Sequence, residues 1–124
     1  MAVQSYQELE VWKVAMDLAT ECYRVTKAFP KEELYGLTSQ IRRAAISVPS
    51  NIAEGHGRTG SREFFHCLSI AQGSLSELET QIEIAARLSY ITSEQKTRCL
   101  EVAAETGRIM NGLLNSLGKY AAAR

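Results

Sequence analysis

The sequence predicts an all-α fold, a single antiparallel up-down-up-down four-helix bundle spanning residues 1–124 with a proline kink in its second helix. Three observations predict it. Apolar residues recur at steps of three and four in four separate windows, the periodicity of a helix with one buried face. No strand-length window alternates with a period of two. Only two prolines interrupt 124 residues. A chain of this length fits one domain and buries enough surface to need neither a metal nor a disulfide. Four helices with short connections pack antiparallel to their neighbours.

The first helix is expected over residues 7–28, with Trp12, Ala15, Met16, Ala19, Tyr23 and Thr26 as its core stripe and Lys13, Asp17, Thr20 and Arg24 opposite. Phe29 and Pro30 end it, because a residue before proline avoids the helical region. Pro30, Glu32 and Glu33 suit the first turn of a short helical connector, and Gly36 resets the direction. The second helix is expected over residues 37–54, with Leu37, Ile41, Ala44, Ala45, Val48 and Ile52 facing inward. Pro49 sits inside this pattern, where it removes a backbone hydrogen bond and crowds the Ala45 carbonyl. A kink is therefore expected there.

The third helix is expected to start with Ser61 as N-cap and to run to residue 88. Phe64, Leu68, Ala71, Leu75, Leu78, Ile82 and Ala85 give it the seam spacing of packed bundle helices. Thr92 opens the fourth helix, with Gln95 completing a capping box. Cys99, Val102, Ala103, Thr106, Ile109, Met110, Leu113 and Leu117 form its buried stripe, and Gly118 is its expected stop. Gly107 and Gly112 are costly inside a helix and suggest close backbone packing.

Composition narrows the function. Fourteen Lys plus Arg balance fourteen Asp plus Glu, which argues against a dedicated nucleic-acid binder. Cys22, Cys67 and Cys99 lie far apart without a C-x-x-C spacing, so they are expected to be buried, reduced thiols. The N-terminus shows no basic region followed by an apolar run, and the longest apolar stretch is Tyr120 to Ala123. Neither a signal peptide nor a membrane span is expected, and the cytosol is the expected compartment.

Three helices carry more apolar surface than one bundle needs. Ile70, Gly73, Ser74, Ile84 and Leu88 share a face of the third helix turned away from the Phe64 seam. Val11, Val14, Leu18 and Val25 do the same on the first helix, and Ile46 and Ala53 on the second. These faces read either as an oligomer interface or as a broad core stripe with scattered exposed apolar residues.

Motifs for chemistry are sparse. Residues 55–60 spell G-x-G-x-x-G, but a helix precedes them where a dinucleotide site needs a strand. Glu63 and His66 have the E-x-x-H spacing of di-iron bundles, yet only one such pair exists. His56 and His66 are the only histidines, and neither shares a triad motif with a Ser or Cys. No catalytic residue, cofactor or metal site is expected. Gln40, Arg43, Ser47, Asn51 and Glu54 form a polar stripe on the second helix. Residues 37–62 hold four arginines and one glutamate, whereas residues 63–86 hold four glutamates and no Lys or Arg. Either the two helices pair through these charges, with Arg43 meeting Glu77, or the second helix presents a basic surface to a ligand. Arg42, Arg58 and Arg62 are the candidate anion contacts, the last two flanking the start of a helix.

Residues 36–55, including Arg42-Arg43-Ala44-Ala45 and Val48-Pro49-Ser50-Asn51-Ile52-Ala53-Glu54-Gly55, resemble a signature of a known family. It is the four-helix bundle family named for proteins encoded in intervening sequences of bacterial 23S rRNA genes. Gly73-Ser74-Leu75-Ser76-Glu77-Leu78-Glu79-Thr80-Gln81 resembles its second signature; Leu9-Glu10-Val11-Trp12 and Phe29-Pro30-Lys31-Glu32-Glu33 also fit. The resemblance implies an up-down-up-down bundle and a ring-like homopentamer, with no agreed activity and no catalytic residues to carry over. It extends to accessory subunits of reverse transcriptases in diversity-generating retroelements, which are markedly basic, unlike this chain. The expected function is a non-enzymatic homo-oligomeric scaffold or adaptor for an unknown protein partner. The alternatives are a weak, non-specific RNA- or DNA-binding accessory protein and an undiscovered enzyme.

Overall fold

The computed structural model describes the backbone of residues 5–58 and 60–122 and the side-chain surroundings up to residue 118. The N-terminal run Met1 to Gln4, Thr59 within the glycine motif and the side chains of the Tyr120–Ala123 run lie outside the described residues. Four helices make up the fold: α1 (Glu10–Thr26), α2 (Leu37–Gly57), α3 (Ser61–Arg87) and α4 (Ser93–Ala122).

Short 3-10 turns precede α1 and α2. The first, Tyr6–Glu8, is capped by Ser5, whose Oγ accepts from the Gln7 N–H at 3.1 Å while its own N–H donates to Glu8 Oε1 at 3.2 Å. Leu9 is extended (φ −69°, ψ 127°), so α1 begins later than the periodicity alone suggests. The second turn, Lys31–Glu33, follows Pro30 as expected. Its last residue reaches forward: Glu33 Oε1 accepts from the Leu37 N–H at 3.0 Å, filling one of the orphan donors at the start of α2.

Helix α2 continues through Pro49 to Gly57, beyond the predicted end at residue 54. Its C-terminal reach takes in Gly55, His56 and Gly57, the first half of the glycine motif, as helix rather than loop. Gly60, at φ +93°, makes the reversal into α3, a left-handed value that glycine reaches at little cost. Ser61 is therefore not the N-cap. It already sits in the first turn, Gly60 occupies the cap position, and the buried Ser61 Oγ has no partner. Helix α3 closes with a Schellman arrangement in which Tyr90 N–H donates to Ala85 O at 2.9 Å and Ser89 N–H to Ala86 O at 3.0 Å. This holds Ser89 at φ +63°. The Thr92–Gln95 capping box forms as predicted, with both reciprocal bonds present. Gly118 does not stop α4, which runs to Ala122. Gly118 instead faces Phe65, whose Cε2 would lie 3.3 Å from a β-carbon there.

Pair contacts set the directions. Ser47 meets Ser74 and Gly55 meets Cys67, so α2 and α3 run antiparallel. Gly107 against Leu75 and Gly118 against Phe65 do the same for α3 and α4. Each helix packs on two others, α1 closing the ring of contacts with α4. Leu18, Ile41, Ile52, Leu68, Leu78, Ile82 and Met110 are the largest fully buried side chains and meet at the centre. Burying each such side chain contributes roughly 1.5–3 kcal/mol.

Helix α1 is rotated relative to the sequence reading. Val11 and Leu18, expected on an oligomer face, are 2% and 0% exposed inside this core. Met16 and Tyr23, expected in the core, stand at the surface. The cause is that α1 has two neighbours. Its Val11–Leu18–Cys22–Val25 side enters the core, while Met16 and Tyr23 flank α2. Among the described residues the outer face of α4 exposes Glu94, Arg98, Glu101 and Arg108 and no large apolar side chain.

Candidate functional site

The polar stripe of α2 resolves into a small cluster and several solvent contacts. Ser47 Oγ lies 2.8 Å from Ser74 Oγ across the α2–α3 seam. Asn51 Nδ2 donates to the Ser47 carbonyl at 2.8 Å and to Ser47 Oγ at 3.0 Å. Ser74, grouped with the oligomer face from sequence, is thus engaged within the chain. Arg43 and Glu77 form no ion pair among the described residues. Arg43 is exposed and its Nη2 donates to Gln40 Oε1 at 3.2 Å, one turn back on its own helix. Glu54 pairs with Arg58 at 3.6 Å, again along α2.

The three candidate anion-binding arginines do not converge. Arg42, a candidate anion contact from the sequence, is tied to α1. Its Nε donates to Thr26 Oγ1 at 2.9 Å and its guanidinium lies 4.7 Å from the centre of the Tyr23 ring. It joins α2 to α1 by a hydrogen bond and a cation–π contact. Arg58 is held by Glu54, and Arg62 is exposed at the start of α3. Sixteen helical steps separate Arg42 from Arg58, about 24 Å at 1.5 Å per residue.

Two other charged or nucleophilic groupings occur. Glu21 sits between Arg24 at 3.3 Å and Arg98 at 3.5 Å, bridging α1 to α4. The neighbouring Cys22 and Cys99 are buried, free thiols. Interaction with the Cys99 thiol, then burial, pushes Cys22 far above the usual thiol range, so it stays protonated. Among the described residues no group of three His, Cys, Asp or Glu side chains is placed to hold a metal ion. Glu63 and His66 both stand exposed on α3.

Two apolar features stand on the surface. Between α1 and α2 runs a groove of about 570 Å³ lined by Tyr6, Trp12, Met16, Tyr23, Ile46 and Pro49, among others. Tyr6 and Trp12 meet edge-on, ring centres 5.3 Å apart. The sequence reading missed this groove because it assigned Trp12, Met16 and Tyr23 to the core. The signal was present in their bulk, which exceeds what one side of a helix can bury against a neighbour rich in alanine. Away from the groove, Ile70, Ile84 and Leu88 project from α3 as a ridge, with Gly73 between them meeting nothing within 4 Å.

Residues 7–112 match the model of a family described as 23S rRNA-intervening sequence protein. The chain belongs to this family. The match takes in the groove apart from Tyr6, the α2–α3 seam and the α3 ridge, and ends within α4. Among solved structures, the chain resembles a protein of unknown function from the S23 ribosomal protein family of Bacteroides thetaiotaomicron. The TM-score is 0.78 at 23% identity, covering 84% of this chain and 97% of that one. At that identity the likeness speaks for the fold alone. No curated protein matches the chain. No helix among the described residues is long and apolar enough to cross a membrane.

Proposed function

We propose that this member of the 23S rRNA-intervening sequence protein family is a non-enzymatic homo-oligomeric scaffold or adaptor, acting in the cytosol on a protein partner. One observation carries the reading. Ile46, Ile70, Ile84 and Leu88 are 44–50% exposed on the outside of a bundle whose core is complete without them. Isolated exposed apolar residues need no explanation, but three β-branched or branched side chains in line on one helix do. Covering them gains roughly 25 cal/mol for each Å² removed from water. A closed ring covers such a surface in every subunit, and five subunits is the number that the family resemblance implies. A nucleic-acid role draws less support, since Arg58 is paired with Glu54, the three candidate arginines do not converge and the net charge is zero.

Light scattering after size exclusion at micromolar concentration tests the reading. A mass of several chains, five for the closed ring, is expected; the mass of one chain removes it.

A further inference from the structure

The two apolar faces of the chain are different in shape and in charge. On α3, residues seven apart stand two turns apart on one side of the helix. Glu63, Ile70, Glu77 and Ile84 occupy that single line, and Leu88 follows one turn beyond. Glu63 and Glu77 are exposed and form no ion pair among the described residues. The ridge therefore alternates isoleucine with unpaired carboxylate. Gly73 leaves a gap in its middle, where another backbone can approach.

The α1–α2 groove has the opposite character. Ile46 forms part of its wall, and Arg42 and Arg43 stand one turn before Ile46 on α2. Lys13 stands one turn before Met16 on α1 and is exposed. None of these three cations has a carboxylate partner among the described residues. Arg42 bonds a threonine hydroxyl and Arg43 an amide oxygen. The groove is thus an apolar channel with a cationic rim.

We infer that the occupant of the α1–α2 groove is the α3 ridge of a second copy of this chain. The inference rests on the homo-oligomer reading and names its two mating surfaces. Ridge against ridge sets carboxylates beside carboxylates, and groove against groove sets cations beside cations; like charges across an interface cost free energy and suppress the wrong pairing. Ridge into groove places Ile70 and Ile84 against Trp12, Met16 and Ile46, with Glu63 and Glu77 beside the cationic rim. The contact is heterologous, because the surface offered differs from the surface received. Each added copy leaves one ridge and one groove free until the rotation closes.

Two variants separate this geometry from oligomerisation itself. Ile84→Arg disables the ridge and Ile46→Arg disables the groove, the two cations being unable to pair with each other in a mixture; both positions are exposed, and circular dichroism checks that each variant folds. Leu88→Arg and Ala53→Arg serve as a second pair if either fails. Sedimentation equilibrium from micromolar to millimolar concentration reads the mass of each variant and of their equimolar mixture. Each variant alone is expected at the mass of one chain. The mixture is expected at the mass of two chains and no more, since one intact groove meets one intact ridge and no further site remains. An assembled wild type with a mixture that stays monomeric, or with one variant still fully assembled, overturns the pairing and leaves the homo-oligomer reading intact. A monomeric wild type overturns both.

Discussion

Replacing Gly55 by alanine opposes two effects that the structure allows to be weighed. In a helix, alanine is favoured over glycine by about 1 kcal/mol, and Gly55 lies within α2. Yet a β-carbon at Gly55 would fall 2.6 Å from Cys67 Cβ and 3.0 Å from Phe64 Cδ1. Phe64 can turn aside. Cys67 Cβ cannot, because it is bonded directly to the α3 backbone, so relief requires the two helices to separate. Overpacking of this kind costs about 1–3 kcal/mol, and a clash against an immobile atom belongs at the upper end. The helix gain is also reduced near the end of α2. The net expectation is a loss of about 2 kcal/mol, which for a chain of this size lowers Tm by roughly 8 °C. Urea titration and thermal melts at one fixed protein concentration measure it, since association would otherwise shift both. Gly112→Ala in α4 is the control: nothing lies within 4 Å of its β-carbon site, and a gain of about 1 kcal/mol is expected. A Gly55→Ala protein as stable as the wild type, beside a stabilised Gly112→Ala, refutes the close-approach reasoning.

Other perturbations test other joints of the fold. Ser89→Gly should stabilise by about 1 kcal/mol in the same melts, because Ser89 holds a left-handed φ of +63° that a side chain disfavours. Arg42→Ala should cost about 1–2 kcal/mol through its Thr26 bond and Tyr23 stacking, and should leave RNA binding unchanged in a filter-binding titration. Glu33→Gln probes pH dependence. The Leu37 N–H and then the Tyr90 hydroxyl hold the Glu33 carboxyl below the usual carboxylate range. Its contribution is therefore present above the unfolded-state pKa and lost as pH falls through the lower folded-state value. The stability gap between wild type and Glu33→Gln should be steady near neutrality and close in acid. Denaturant midpoints across pH show it, and a gap that widens in acid contradicts the assignment.

The periodic core was legible because burial in α2, α3 and α4 follows a single stripe facing one centre. Ile41, Val48 and Ile52 are buried where the spacing places them, as are Leu68, Leu78 and Met110. In α1 two stripes compete, aliphatic and aromatic, and periodicity cannot say which one meets two neighbours. Val11 and Leu18 were misplaced for that reason. Caps showed the same division. Thr92 and Gln95 form a reciprocal pair that is local in sequence, whereas the cap of α3 depends on the φ of Gly60. The Arg43–Glu77 pairing failed because helical facing brings side chains to one side of the bundle without saying which is long enough, and free enough, to bond nearer home. The Ser47–Ser74 contact was half legible. Ser47 was placed on the seam and Ser74 outside it, although they lie on facing turns of antiparallel helices.

The polar outer face of α4 has a consequence for how this chain can change over generations. No large apolar side chain is exposed there, and residues such as Glu94, Glu101 and Arg108 project into solvent without contributing to the core. Substitutions along this helix can move the net charge away from zero while α1, α2 and α3 keep their surfaces unaltered. A lineage can thus become basic or acidic, and acquire or lose attraction for a polyanion, by drift on one helix. Charge would then be a fast-varying trait of such a protein and architecture a slow one.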